Sequence, residues 1–498
     1  MKFGRWPRCA AASAIVVALV GLTRGVATRV FIPLPSAPAP QGPPASIAPV
    51  ARPQEPLVPR AAARHPDRRA GFAIDHVWAS AIAPRPGAPD DPRLGPDDAP
   101  RSAALRVVAA PAAPGDRSAS VLVTCRLDAA AVNGVADALQ SCIDHAPPYA
   151  AIEIPEGVFV LDHQVVVSTP LTLRTAGSAD GSVACVGATV PPHCAVLVAS
   201  NTFADNNGLL FVLSTSDVHL EHIVIDGNNL SRLSSPSAVF CVNGFNTYGF
   251  NASVLDCVGC ALDDVVSRNA LCGTGMLWSG GRATIQRSEF RGNGIALKNG
   301  LWADGLTLVY APESNVTANS FIDNSDVALI LGYGVNSQVE HNVIIQRAQS
   351  SFAGLMLHNF HSDDLSFRGD FRGAVISNNT IDCGSQLCTF GIQLGPRPWD
   401  DTRNIVGGTV ADNDVIGAKV GINVDGAGSR AAPTTVVANA VTNTPTDAVF
   451  SGCAGSVPTD KINVAPTSVV NRGTDAEPVG THLSYLCQLS SALEAESQ

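Results

Sequence analysis

The chain is poor in charge and in aromatic rings. Of its 498 residues, 15% are charged and 5% aromatic, against 46% apolar. So few rings imply a core of small aliphatic side chains, and the length suffices for one long domain or two to three ordinary ones. No phosphate loop, dinucleotide-binding glycine motif, Gly-x-Ser-x-Gly or His-Glu-x-x-His occurs, so the signatures of nucleotide enzymes, serine hydrolases of that type and zinc peptidases are absent. Basic residues are short beyond the first quarter. Residues 1–118 carry 15 Lys+Arg and 8 Asp+Glu, a balance of +7, and the remainder carries 17 and 35, a balance of −18. An acidic body excludes nucleic acid, whose affinity comes from neutralised phosphates. It also weighs against a polyanionic glycan unless a metal or local arginines compensate.

Long apolar runs are missing except at the start. Lys2, Arg5 and Arg8 precede the run Cys9–Leu22, and Gly25-Val-Ala27 supplies small residues for cleavage. Residues 1–27 therefore read as a secretory signal, too short for a comfortable membrane span. Arg24 and Arg29 leave an uncleaved anchor as the alternative, and no other membrane insertion is expected. Residues 28–118 hold 19 of the 35 prolines and read as a stiff, disordered Pro/Ala-rich tether rather than a domain. A secreted or cell-surface protein follows.

Thirteen cysteines are present, twelve of them beyond the signal. That number suits an oxidising compartment. Cys125 with Cys142, Cys185 with Cys194, Cys383 with Cys388 and Cys453 with Cys487 are candidate local bridges. Cys241, Cys257, Cys260 and Cys272 form a cluster whose pairing is open. Cys257-Val-Gly-Cys260 is half a zinc knuckle, without a second pair at ligand spacing.

A repeat dominates what is there. From about residue 265 an Asn recurs at 269, 319, 342, 379, 413 and 439, with Ser288 once in its place. Each is followed by a Gly-led or Ala-led apolar alternation, as in Gly305-Leu-Thr-Leu, Gly354-Leu-Met-Leu and Gly391-Ile-Gln-Leu. A period of roughly 20–35 residues with period-2 strands predicts an all-β solenoid of stacked coils over residues 119–470, with a tail over 471–498. Leu306/Leu308, Leu329/Leu331, Leu355/Leu357 and Ile392/Leu394 are the expected internal ladders, and the Asn side chains are expected to stack at a corner. Ahead of the coils, residues 133–144 predict a capping helix with Asn133 as N-cap.

The helix followed by Ile-Glu-Ile-Pro-Glu-Gly-Val-Phe-Val-Leu161 and the repeats to about residue 450 resemble the right-handed parallel β-helix proteins of the pectate-lyase-like superfamily. Two families within it share finer motifs. Trp302-Ala-Asp304-Gly305 and Asn324-Ser325-Asp326 resemble the acidic motifs of polygalacturonases, with Ser325 in place of one acid and without that family's Gly-His-Gly and Arg-Ile-Lys. Asp326-Val-Ala-Leu-Ile-Leu-Gly332 and Leu394-Gly-Pro-Arg397-Pro-Trp399 resemble pectin methylesterase motifs, with Ala303 where that family has Gln. The resemblance implies a carbohydrate-active ancestor.

Asp304 and Asp326 lie 22 residues apart, about one coil, and are the expected catalytic pair. Two carboxyl groups at short separation suit a nucleophile-and-acid arrangement, and about 6.5–9.5 Å leaves room for an attacking water. The downstream repeat sets Ala328 over Gly305, so Asp326 is expected one position out of step with Asp304. His358 is the candidate proton shuttle, with His361 in the following loop. Trp302, Thr307, Gln393, Arg397, Trp399 and Asp425 are the candidate substrate-binding residues: indoles for sugar stacking, Arg397 for a uronate, the others for sugar hydroxyls. Trp278 is expected to pack inside. Lyases of the superfamily use Ca2+, and Asp263-Asp264, Asp363-Asp364 and Asp400-Asp401 are the acidic pairs that such an ion would need. The expectation is no cofactor and no metal site, with Ca2+ as the alternative. The readings left open are a glycoside hydrolase acting as a monomer on a pectin-like polysaccharide, an esterase or lyase on the same face, and a non-catalytic glycan-binding solenoid.

Overall fold

The computed structural model describes residues 106–108, 121–443, 462–464 and 469–471, except 131–132, 179–183, 188–192, 245, 297–300, 361–368, 397–404, 425–426 and 428–431. The signal, most of the tether, the tail beyond 471, Cys453 and Cys487 lie outside the described residues.

The described strands form three sheets of thirteen, eleven and nine strands. Successive strands visit the three sheets in turn, and each pairs in parallel with its counterpart one coil away. This is a parallel β-helix, right-handed as crossovers between parallel strands are. The exception in pairing is Arg106–Val108, inside the segment read as tether, which runs antiparallel to Leu122–Thr124.

The expected ladders are real. Leu306 pairs with Leu329, Leu329 with Leu355, and Leu355 with Ile392, while Leu308, Leu331, Leu357 and Leu394 form the next row. All are buried in one continuous core with Trp278, whose indole N–H donates to Gly280 O. One position ahead of the first row runs a column of small residues, Gly305, Ala328, Gly354 and Gly391. A Cβ on Gly305 would sit 2.4 Å from Ala328 O and 2.9 Å from Asn324 Nδ2, so the coils approach too closely there for any side chain.

The corner amides stack as the repeat implied. Asn319 Nδ2 donates to Asn342 Oδ1 (3.0 Å), and the relay continues through Asn379 and Asn413 to Asn439. Each Oδ1 also accepts the main-chain N–H of the preceding member, starting at Ser288. Asn269 does not belong to this stack. It lies at φ 56°, four residues past the position that meets Ser288, and its amide donates to Asp226 Oδ1 instead. A second buried amide stack, absent from the repeat reading, links Asn251, Asn293 and Asn324 at another corner.

Helix α1 (Val135–Asp144) covers the first coils with Val135, Ala136, Leu139, Cys142 and Ile143. Its N-cap is Gly134 in the left-handed region, with no side-chain cap bond, rather than Asn133. Gln140 then closes the edge of the nine-stranded sheet. Its amide accepts from Val166 N–H (2.7 Å) and donates to Val166 O (2.9 Å), occupying both polar groups that a missing strand would have paired. Five disulfides join described cysteines: Cys125–Cys142, Cys185–Cys194 and Cys383–Cys388 as expected, with the cluster resolved as Cys241–Cys272 and Cys257–Cys260.

Candidate functional site

The candidate residues gather on the nine-stranded sheet. Its strands are Val165–Val167, Leu210–Leu213, Ala252–Leu255, Gly273–Ser279, Ala303–Tyr310, Val327–Leu331, Ser351–Leu357, Cys388–Leu394 and Val420–Val424. Together they contain one Asp and no Glu, Lys, Arg or His. The single charged side chain is Asp304.

Asp304 and Thr307 lie three apart on the strand Ala303–Tyr310, and their side chains meet. Thr307 Oγ1 donates to Asp304 Oδ2 (2.8 Å) and lies 3.0 Å from Thr274 Oγ1 of the previous coil. Asp304 Oδ1 accepts the N–H of Val327 from the next coil (3.0 Å). The carboxylate is thus fixed at both oxygens and spans two coils. Thr307 is built into that arrangement, which was not its expected role as a sugar ligand.

Asp326 lies on the adjacent coil in the offset register that the repeat suggested. Leu306 pairs with Leu329, which sets Val327 beside Asp304 and Asp326 beside Ala303; Asp326 N–H accordingly donates to Ala303 O (3.1 Å). One coil and one residue of offset separate the two Asp Cα positions by about 6 Å. Ser325, where the polygalacturonase motif has an acid, accepts the Ala303 N–H (3.0 Å) through its hydroxyl, and Asn324 is committed to the second amide stack.

His358 is placed elsewhere. Leu331 pairs with Leu357, so His358 follows the far end of Ser351–Leu357, while Asp326 precedes the near end of the neighbouring strand Val327–Leu331. Four to six extended residues separate the register positions, about 13–20 Å. The imidazole packs 4.6 Å from the Phe360 ring, and the His358 main-chain N–H donates to Leu331 O. The structure therefore joins Asp304 to Thr307 by a hydrogen bond, sets the Asp326 main chain on the adjacent coil beside Ala303, and places His358 farther along the sheet.

Gln393 and Asn423 do face outward on this sheet, but each is buried, and Asn423 Nδ2 donates to Gln393 Oε1 (2.7 Å). Trp302 is half-buried at the strand's entry, where its carbonyl accepts from Gly273 N–H. Arg397, Trp399, Asp425 and His361 lie outside the described residues, as do Asp363, Asp364, Asp400 and Asp401. Asp263 and Asp264 diverge. Asp263 pairs with Arg287, while Asp264 accepts from Cys185 N–H and Val186 N–H and meets His222 Nδ1 at 2.8 Å. Among the described residues no group of three or more His, Cys, Asp or Glu could hold a metal ion.

Sequence reasoning missed the closure of this face. A second apolar cluster lies outside the sheet and includes Leu277, Val327, Ile330, Ala353, Met356, Phe360 and Phe390. In this structure Asp304 is 8% exposed, Asp326 4% and His358 2%. The signal was present in runs such as Val-Ala-Leu-Ile-Leu331 and Gly-Leu-Met-Leu357, whose unbroken apolarity marks strands buried on both faces.

No known protein family matches the chain, and no curated protein does. Solved structures similar to it include a family 28 exopolygalacturonase from Yersinia enterocolitica, at 13% identity and TM-score 0.44, covering 73% of this chain and 77% of that one. Another is the A-module of a mannuronan C-5 epimerase from Azotobacter vinelandii, at 12% identity and TM-score 0.40, covering 70% and 96%. A third is a Geobacillus virus E2 protein, at 12% identity and TM-score 0.36, covering 64% of this chain and 56% of its own length. The likeness is one of fold.

Proposed function

We propose that the chain is a secreted, polysaccharide-active enzyme, most simply a glycoside hydrolase, working with Asp304 and Asp326. The observation that carries this reading is the isolation and bracing of Asp304. It is the one charged side chain on the nine strands of its sheet, it meets the outward Thr307, and donors reach both of its oxygens. Asp326 lies one coil away. Asp304, an acceptor at both oxygens, serves as base or nucleophile, and Asp326 donates the proton to the leaving oxygen. Thr307 positions Asp304. The five disulfides favour an oxidising, extracellular setting.

A second reading, a non-catalytic solenoid, has a specific observation in its favour: the apolar layer over the same sheet leaves the two carboxylates nearly inaccessible. Release of reducing ends from a panel of neutral and uronate glycans decides between them. Wild type should cleave at least one glycan, with Asp304→Asn and Asp326→Asn each slower by about 10²–10⁴-fold. Cleavage at full rate by both variants defeats the assignment. Glycan binding without turnover favours the second reading. Methanol, acetate or an ultraviolet-absorbing unsaturated product points to an esterase or a lyase.

A further inference from the structure

Between Ile223–Asp226 and Ala252–Leu255 the coil is interrupted by a lobe. It comprises a 3₁₀ turn (Asn229–Arg232), helix α2 (Pro236–Val242) and a second 3₁₀ turn (Asn246–Gly249). The lobe concentrates exposed apolar side chains. Leu230 is 71% exposed, Leu233 37%, Val239 60% and Val242 60%, four of the nine large apolar side chains that are exposed among the described residues. Leu230 and Leu233 are three apart around a 3₁₀ turn, as are Val239 and Val242 on a helix, so each pair projects from one side.

The lobe also exposes no charge. Its 21 residues contain one charged side chain, Arg232, and that guanidinium is fully buried, donating to Gly227 O, Phe203 O and Tyr248 O above the Phe203 ring. Ser237 Oγ donates to Phe203 O, and Cys241–Cys272 ties α2 to the next coil. The apolar side chains are thus presented by a lobe fastened at its centre and at both flanks. Leu and Val exposed on a fastened lobe that presents no charge, within a body of net −18 over residues 119–498, favour an uncharged apolar partner.

We propose that this lobe is a membrane-docking element that seats the protein peripherally on an uncharged bilayer surface. A tip with apolar side chains and no charge to desolvate enters the headgroup boundary readily. No described helix is long and apolar enough to cross a membrane, so the contact is peripheral. A second copy of the chain fits less well. Four aliphatic side chains fall short of the roughly 800 Å² per partner of a stable interface, and among the described residues of the lobe the large exposed side chains include no aromatic or arginine anchor.

The test is co-sedimentation of the full chain with sucrose-loaded phosphatidylcholine vesicles. Wild type should sediment with the lipid, independently of salt, and Leu230→Asp combined with Val239→Asp and Val242→Asp should lower the bound fraction at least about five-fold. All three positions are exposed, and thermal unfolding checks that the variant folds. As a second readout, Val239→Trp should shift its emission to shorter wavelength on adding vesicles. Wild type remaining in the supernatant, a triple variant that sediments like wild type, or an unshifted Trp emission overturns the proposal. So does a dimer, dissociated by Val239→Asp, that ignores the vesicles. Asp304→Asn should bind vesicles as wild type does, which separates this proposal from the catalytic one.

Discussion

The thirteen-stranded and nine-stranded sheets line the same core, yet their outward faces are opposites. Outward on the first run Glu153, Arg174, Glu221, Asp263, Gln286, Thr317 and Glu340 in register, one per coil, with ion pairs such as Arg174–Glu153. Outward on the second run Leu277, Thr307, Ile330, Met356, Gln393 and Asn423, all buried. A solenoid needs only its inner rows to be apolar. The first sheet meets that minimum and leaves its other side to water. The second carries an additional apolar layer with one braced carboxylate set into it, and a pattern that stability of the coil does not require is where function is to be sought.

The same substitution on both sheets breaks this comparison most severely. Met356→Lys should destabilise by more than about 3 kcal/mol, because an unpaired ammonium enters an apolar layer. Thr317→Lys, outward between Gln286 and Glu340, should stay within about 0.5 kcal/mol. Urea unfolding midpoints at constant slope measure both, and equal losses would mean that the outer layer carries no weight. Next in size, Asn342→Ala removes acceptors of Asn319 and donors to Val316 O and Asn379, and should cost about 2–4 kcal/mol. Removing the amide of Gln140, which closes the sheet edge, should cost about 1–2 kcal/mol.

The smallest effect belongs to the exposed side of the thirteen-stranded sheet. The hydrogen bond to Glu221 holds His219 above its ordinary value of 6.5, with burial opposing. A raised histidine contributes stability that is fully present below pH 6.5 and is lost as the pH rises through its folded value. Both side chains are partly exposed, so the effect should be about a few tenths of a kcal/mol, and Glu221→Gln should abolish it. A pH-independent difference between wild type and variant would assign the effect to packing.

Much of this fold was legible because a solenoid writes each coil as a near copy of the last. The ladder through Leu306, Leu329 and Leu355, the amide stack from Asn319 to Asn439 and the offset of Asp326 all follow from counting. Counting failed where the repeat is interrupted. The lobe at 229–249 separates Asn251 from the regular phase, which hid the second amide stack, and Asn269 matched the phrase while occupying a different corner. Alternation correctly put Thr307, Gln393 and His358 outside the core. It carried no information on what lies over them, nor on the strand length that parts His358 from the carboxylates.

The most direct test of the catalytic account is a paired measurement on Asp304→Asn: glycan turnover and thermal unfolding of the same preparation. Asn retains an oxygen for the Val327 N–H, so the account predicts a rate lower by about 10²–10⁴-fold with less than about 2 kcal/mol of stability lost. Turnover close to wild type together with a large drop in melting temperature would contradict it, making Asp304 a brace between coils and not the group that acts on the substrate.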